Sequence, residues 1–325
     1  MNRQDTASRW GWLVCSAVLA GGAVWLRRWQ IDTAFEGDLN LPVAGAPATI
    51  CLLCLMAIAA ALLGILAMVQ REAPLPRHLH RQGRRDLTQA TGSGLHLALT
   101  LVAAALLLAA APMLLQEGAG LWQAFRLSAD KTGNNGILVI LTGLSSVLAF
   151  VGVLVAGVAV FRGKQGGRSS MVMAAVNGCA WMMESYRGHA ANPVQWDYVP
   201  LLLAVVLGML LYLEWAALSV GKPRPRLLLW LAGMTIVFSA MAAAAHTTLS
   251  GNLMLAAQSV CAVAVLWYVP VNLANPPQQE EPEELEEQPE ELEEHTEQPE
   301  QPAAQEPVEE LEPEADLQAT KRWER

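Results

Sequence analysis

Long stretches of about 15 to 25 apolar residues, nearly free of charge, recur along the first 275 residues of this chain. No other feature limits its fold as strongly. A bilayer core about 30 Å thick takes roughly 20 apolar residues to cross as an α-helix. In lipid no water is available to unpaired backbone N–H and C=O groups, so such a run has to be helical. Read as a soluble protein, 325 residues would make about two ordinary domains. The spacing of the apolar runs argues against that reading. The sequence therefore predicts an all-α integral membrane protein, a bundle of about eight transmembrane helices followed by a disordered acidic C-terminal tail.

The eight predicted spans are Arg9–Leu26, Ala48–Val69, Leu95–Leu115, Ile137–Phe161, Ser170–Met183, Tyr198–Val220, Leu227–Ala245 and Asn252–Val271. Between them lie turn-forming residues such as Pro74 and Pro76, Gly133 to Gly136, Gly166 and Gly167, and Pro223 and Pro225. The fifth span is short, with about 14 strongly apolar residues, a length more usual for a re-entrant segment. Charge distribution favours keeping it. With eight spans and the N-terminus inside, 13 Lys and Arg residues fall on the inner side and five on the outer; without the fifth span the split is 11 to seven. Cytoplasmic segments of membrane proteins carry the excess of positive charge. Trp10, Trp12, Trp215, Trp230 and Trp267 fall near predicted inner ends, and Trp25, Trp29, Trp122, Trp181 and Trp196 near outer ends, as interfacial aromatic belts do. The first run follows Arg3 and Arg9, as in a signal peptide, but stays apolar through Leu26, as a retained span does.

Net charge divides sharply along the chain. Residues 1–275 hold 18 Lys and Arg against 11 Asp and Glu, whereas residues 276–325 hold three against 19. The formal charge of −9 thus belongs to the tail. The segment Glu281 to Glu287 is nearly repeated as Gln288 to Glu294. Such a stretch repels itself and has almost nothing to bury, so chain entropy keeps it disordered. It is either a solvating tail or an acidic bait for a basic cytoplasmic protein partner. No basic run with interleaved aromatics points to nucleic acid.

Glu214 is the most informative single residue. It lies in the sixth span within Leu211 to Ala217. An acid at the bilayer centre costs on the order of 2.5–3.5 kcal/mol, so it calls for a partner or for water. It is either an interfacial residue satisfied by a neighbour or a carboxylate coupling transport to a proton or cation. Asn177, Gly178 and, at the outer end, Glu184 mark the fifth span, and Gly-interrupted or short helices form substrate sites in transporters. A short, tilted helix packing closely at Gly178 is the plainer alternative.

Cys51 and Cys54 form a C-x-x-C one helical turn apart at the outer start of the second span. They are either packing residues or a thiol pair exchanging electrons with a partner or a quinone. Cys15, Cys179 and Cys261 suggest no shared metal site. His96 and His246 belong to opposite membrane faces and cannot share one iron, and both read as interfacial. The basic loop holding Arg71, Arg77, Arg81, Arg84 and Arg85, with His78 and His80, is expected to contact anionic lipid headgroups. Asp32, Glu36 and Asp38 lack the spacing of a calcium loop. Ala60 and Gly64, Gly152 and Ala156, and Ala240 and Ala244 are small pairs four apart that suit close helix packing.

No Walker motif, dinucleotide fingerprint, nucleophile elbow or zinc-protease motif is present. No cofactor and no metal is implied, and the loops are too short for a catalytic domain. Three functions fit: a small-solute or ion transporter using Glu214, an anchor presenting the acidic tail to a partner, or a redox subunit built on Cys51 and Cys54. The expected location is the cell membrane, with the N-terminus and tail cytoplasmic.

Overall fold

A computed structural model describes residues 3–36, 41–70, 93–128, 135–163, 166–189, 194–219, 224–245 and 248–274. The basic loop with Arg71, Arg77, Arg81, Arg84 and Arg85, as well as Asp38, His246 and the tail 276–325, lies outside the described residues. The described residues form eight α-helices: α1 (Arg3–Thr33), α2 (Pro47–Val69), α3 (Gly94–Leu127), α4 (Ile137–Phe161), α5 (Met171–His189), α6 (Gln195–Ser219), α7 (Pro225–Ala243) and α8 (Leu249–Ala274). A 3₁₀ turn, Gly166–Ser170, leads into α5. Seven of the helices, all but α5, are long and apolar enough to cross a membrane. The chain is thus an all-α membrane protein.

Neighbours in sequence pack as neighbours in space from α3 to α8, and α3 closes the circle against α8. α1 lies against α2, α7 and α8, while α2 touches only α1 and α7 among the principal contacts. Two faces of the bundle follow from this alternation. The end where α1 begins is called proximal here, and the opposite end distal.

Small residues set the closest seams. A Cβ on Gly157 of α4 would overlap Thr100 of α3, and one on Gly118 of α3 would lie 2.6 Å from Ile140 of α4. The Ala60–Gly64 face of α2 receives the ring of Trp230, whose Nε1 donates to the Ala60 carbonyl at 3.1 Å. Gly152 and buried Ala156 form the face of α4 that meets the end of the 3₁₀ turn, where Ser170 Oγ donates to the Gly152 carbonyl at 2.7 Å.

The 3₁₀ turn explains why the fifth apolar run is short. α4 ends at Phe161, yet Ser170 already lies beside Gly152, nine residues back along α4. At 1.5 Å per residue that is about 13 Å from the helix end. The chain thus folds back along α4 before α5 starts, and it carries Arg168 inside. Arg168 is fully buried, where the sequence reading placed it in a solvated loop. Arg27, also read as a loop residue, belongs to α1 and is buried too. Trp12, Trp181 and Trp215 sit in the core, whereas Trp10 and Trp25 are exposed as interfacial tryptophans are expected to be.

Candidate functional site

Polar side chains from α5, α6 and α8 meet beside α3. Near the middle of the bundle a small cavity is lined by Leu107, Asn177, Trp181, Met209, Tyr212 and Gln258, among others. Its volume of about 10 Å³ is the space one water molecule needs.

Asn177 and Gln258 are both buried, and each is held by one half of its amide. Asn177 Oδ1 accepts hydrogen bonds from Ser145 Oγ (2.8 Å) and Ser146 Oγ (3.2 Å) of α4. Gln258 Nε2 donates to the Ala204 carbonyl (3.1 Å) and to Ser239 Oγ (2.7 Å). The Ala204 carbonyl is within reach because the residue one turn later is Gly208, where a Cβ would overlap Gln258 Oε1. Among the described residues, Asn177 Nδ2 and Gln258 Oε1 have no hydrogen-bond partner. One donor and one acceptor are therefore available to whatever occupies the cavity. Tyr212 of α6 and Cys261 of α8 are both buried on this side. Gly178 lets α5 approach Met209 of α6, a Cβ there falling 3.0 Å from Met209 Cβ.

Towards the distal end two carboxylates share this side of the bundle. Both Glu117 oxygens lie 3.0 Å from Ser250 Oγ, which is fully buried. Glu184 lies near Glu117 and His189, and Ser185 Oγ donates to it at 3.4 Å. His189 stacks on Tyr198 with ring centroids 5.4 Å apart.

Also distal, Arg27 donates to Gln30 Oε1 at 2.6 Å and to the Trp196 carbonyl at 2.7 Å. That carbonyl is free because Pro200, one turn on, has no N–H to offer it. Gln30 in turn donates to Thr49 Oγ1 of α2 at 3.0 Å. This chain of bonds ties α1, α2 and α6 together.

The other sequence candidates lie apart. Glu214 is half-buried on α6 and does not line the cavity; its Oε2 has no hydrogen-bond partner. Cys51 and Cys54 are exposed free thiols on the bundle's outer surface. The described residues contain no group of three or more His, Cys, Asp or Glu side chains placed to hold a metal ion.

Sequence reading missed Glu117, Gln258 and Arg168 and set His96 aside. Glu117 lies just past the predicted third span, Leu95–Leu115, whereas α3 continues to Leu127. Gln258 is uncharged, so a search for ionisable residues within the spans passes over it. A polar amide within an apolar run was the available signal, and Asn177 was noticed on that basis.

The fold and this polar interior define the class: a multi-pass α-helical membrane protein. No family model, curated protein or solved structure matches the chain.

Proposed function

We propose that this protein moves a small polar solute or ion across the membrane along the polar zone between α3, α5, α6 and α8. The observation that carries this reading is the pair of half-committed amides, Asn177 and Gln258, at a cavity inside the bundle. A purely structural core gains little from uncommitted polar atoms, which are costly where water is scarce. A passing solute with both donors and acceptors would satisfy them.

In this proposal α5 is the eighth span, introduced by the fold-back of the 3₁₀ turn. The proximal face is cytoplasmic and the membrane is the cell membrane. Glu117 and Glu184 form the distal mouth. Glu214, with one carboxylate oxygen unpartnered, serves as the coupling acid. The 276–325 tail would then serve as a cytoplasmic appendage able to recruit a basic protein.

The test is flux into proteoliposomes carrying an internal pH dye, screened against monovalent cations, amino acids and small amides. Gln258→Leu is expected to abolish uptake of the active solute, and Glu214→Gln to remove its dependence on a pH gradient. Absence of flux for every solute would sink the transport reading. Release of a captured protein on deletion of 276–325 would then favour the anchor.

A further inference from the structure

The cavity inside the bundle is polar but carries no charge. No Asp, Glu, Lys, Arg or His is among the residues that line it. Apart from Asn177 and Gln258 its wall is aromatic or apolar, with Trp181 and Tyr212 both buried and Met209 and Met254 completing it. The two amides are fixed in sense. Gln258 Nε2 donates to the Ala204 carbonyl, which can only accept, so turning the amide round would set two acceptors together. Gln258 Oε1 is therefore the atom left over. Asn177 is anchored through Oδ1 on two serine hydroxyls of α4, which leaves Nδ2.

A wall built this way discriminates by charge. Burying an unpaired charge costs far more than burying a neutral group that keeps its hydrogen bonds. A cation entering the cavity finds one amide oxygen in place of its hydration shell, with an amide N–H set against it. An anion meets the reverse. Glu117, Glu184 and Glu214 are not among the lining residues, so none of them stands in the wall to balance an ion. A neutral molecule that both donates and accepts satisfies both amides at once. Size narrows the choice further, because a volume of about 10 Å³ holds one water molecule.

We propose that the solute of the transport reading, on which this inference rests, is neutral and of the size of a water molecule: water itself or ammonia. Asn177 Nδ2 and Gln258 Oε1 are the pair that selects it. The acidic distal mouth can gather cations, but the cavity does not pass them.

The experiment uses proteoliposomes of the full chain, with protein-free vesicles as the baseline. Water is followed by light scattering after an osmotic step, ammonia by alkalinisation of an internal pH dye, and potassium by an ion-selective electrode. Water or ammonia, whichever is carried, should cross faster than the baseline, and potassium should not. Gln258→Leu is expected to slow the carried molecule about tenfold, the rate equivalent of one lost hydrogen bond. Asn177→Asp keeps the acceptor that Ser145 and Ser146 use but replaces the free N–H group with a second oxygen. At alkaline pH, where the new carboxyl ionises, neutral flux should fall and potassium flux should appear. If Gln258→Leu does not fold, Asn177→Asp decides alone. Potassium flux in the parent without neutral flux overturns this inference and leaves the transport reading standing. Neutral flux unchanged in the deciding variants overturns it too. Absence of flux for every probe and every solute of the wider screen overturns both readings, and the cavity then holds a structural water only.

Discussion

α2 and α8 differ in a way that inverts the rule for soluble proteins. α2 is the most apolar of the seven long helices, yet only 22% of its spanning stretch is buried within the protein. α8 is markedly less apolar, and 72% of its spanning stretch is buried. In water the most apolar helix would lie deepest. In a bilayer, lipid tails receive apolar side chains as readily as a core does, and helices associate through packing and interhelical hydrogen bonds. Polar groups such as Gln258 and Ser250 therefore face protein, and Ile50, Ile58 and Ile65 of α2 remain exposed. α1 departs from this trend: it is the least apolar of the seven yet mostly exposed, and it carries the Arg27 and Gln30 connections inward.

Substitutions that sever those inward connections should have the largest effects. Arg27→Met removes two charge-assisted bonds and leaves the Trp196 carbonyl without a partner, at a cost of about 2 kcal/mol. Thermal unfolding in detergent should show it, and an unchanged midpoint would mean that α1 is held by its other contacts alone. Next come two glycines with opposite surroundings. Gly208→Ala pushes a methyl group into Gln258 and is expected to cost about 1–2 kcal/mol. At Gly64 the nearest atom to a new Cβ is 3.8 Å away, so Gly64→Ala should stay within about 0.5 kcal/mol. Equal effects at the two positions would erase the contrast between core and periphery.

Gln258→Leu should cost about 1 kcal/mol, in the range of membrane-buried hydrogen bonds. Because Gly208 exists to admit Gln258, the double variant Gly208→Ala, Gln258→Leu should be less damaging than the two single effects combined. Simple additivity would show that the two residues are not coupled. The smallest effect belongs to Cys51→Ser with Cys54→Ser, two exposed positions on α2, expected within about 0.5 kcal/mol. A loss of activity there without loss of stability would revive the redox reading, and a loss of stability would mark the pair as packing residues.

Much of the architecture was legible in the chain because lipid imposes a one-dimensional constraint: an uncharged apolar run of about 20 residues has few alternatives to a spanning helix. The seven long helices follow from this, as does the unusual character of the fifth run. Asn177 was also legible, as an amide in a short, glycine-bearing segment. The partners of these residues were not. Charge counting treats every arginine as a solvated loop residue, yet Arg27 and Arg168 are buried. Hydropathy cannot show that Pro200 frees a carbonyl for Arg27, or that Gly208 opens the way from Gln258 to Ala204. Nor can it place His96 against Trp215, 119 positions away in the chain. The sequence by itself determined that this is a helical membrane protein, because burying a peptide group in lipid depends only on local composition. The tertiary structure decided which polar side chains meet, because that depends on helix rotation and approach, which are set by glycines and prolines acting between helices far apart in the chain.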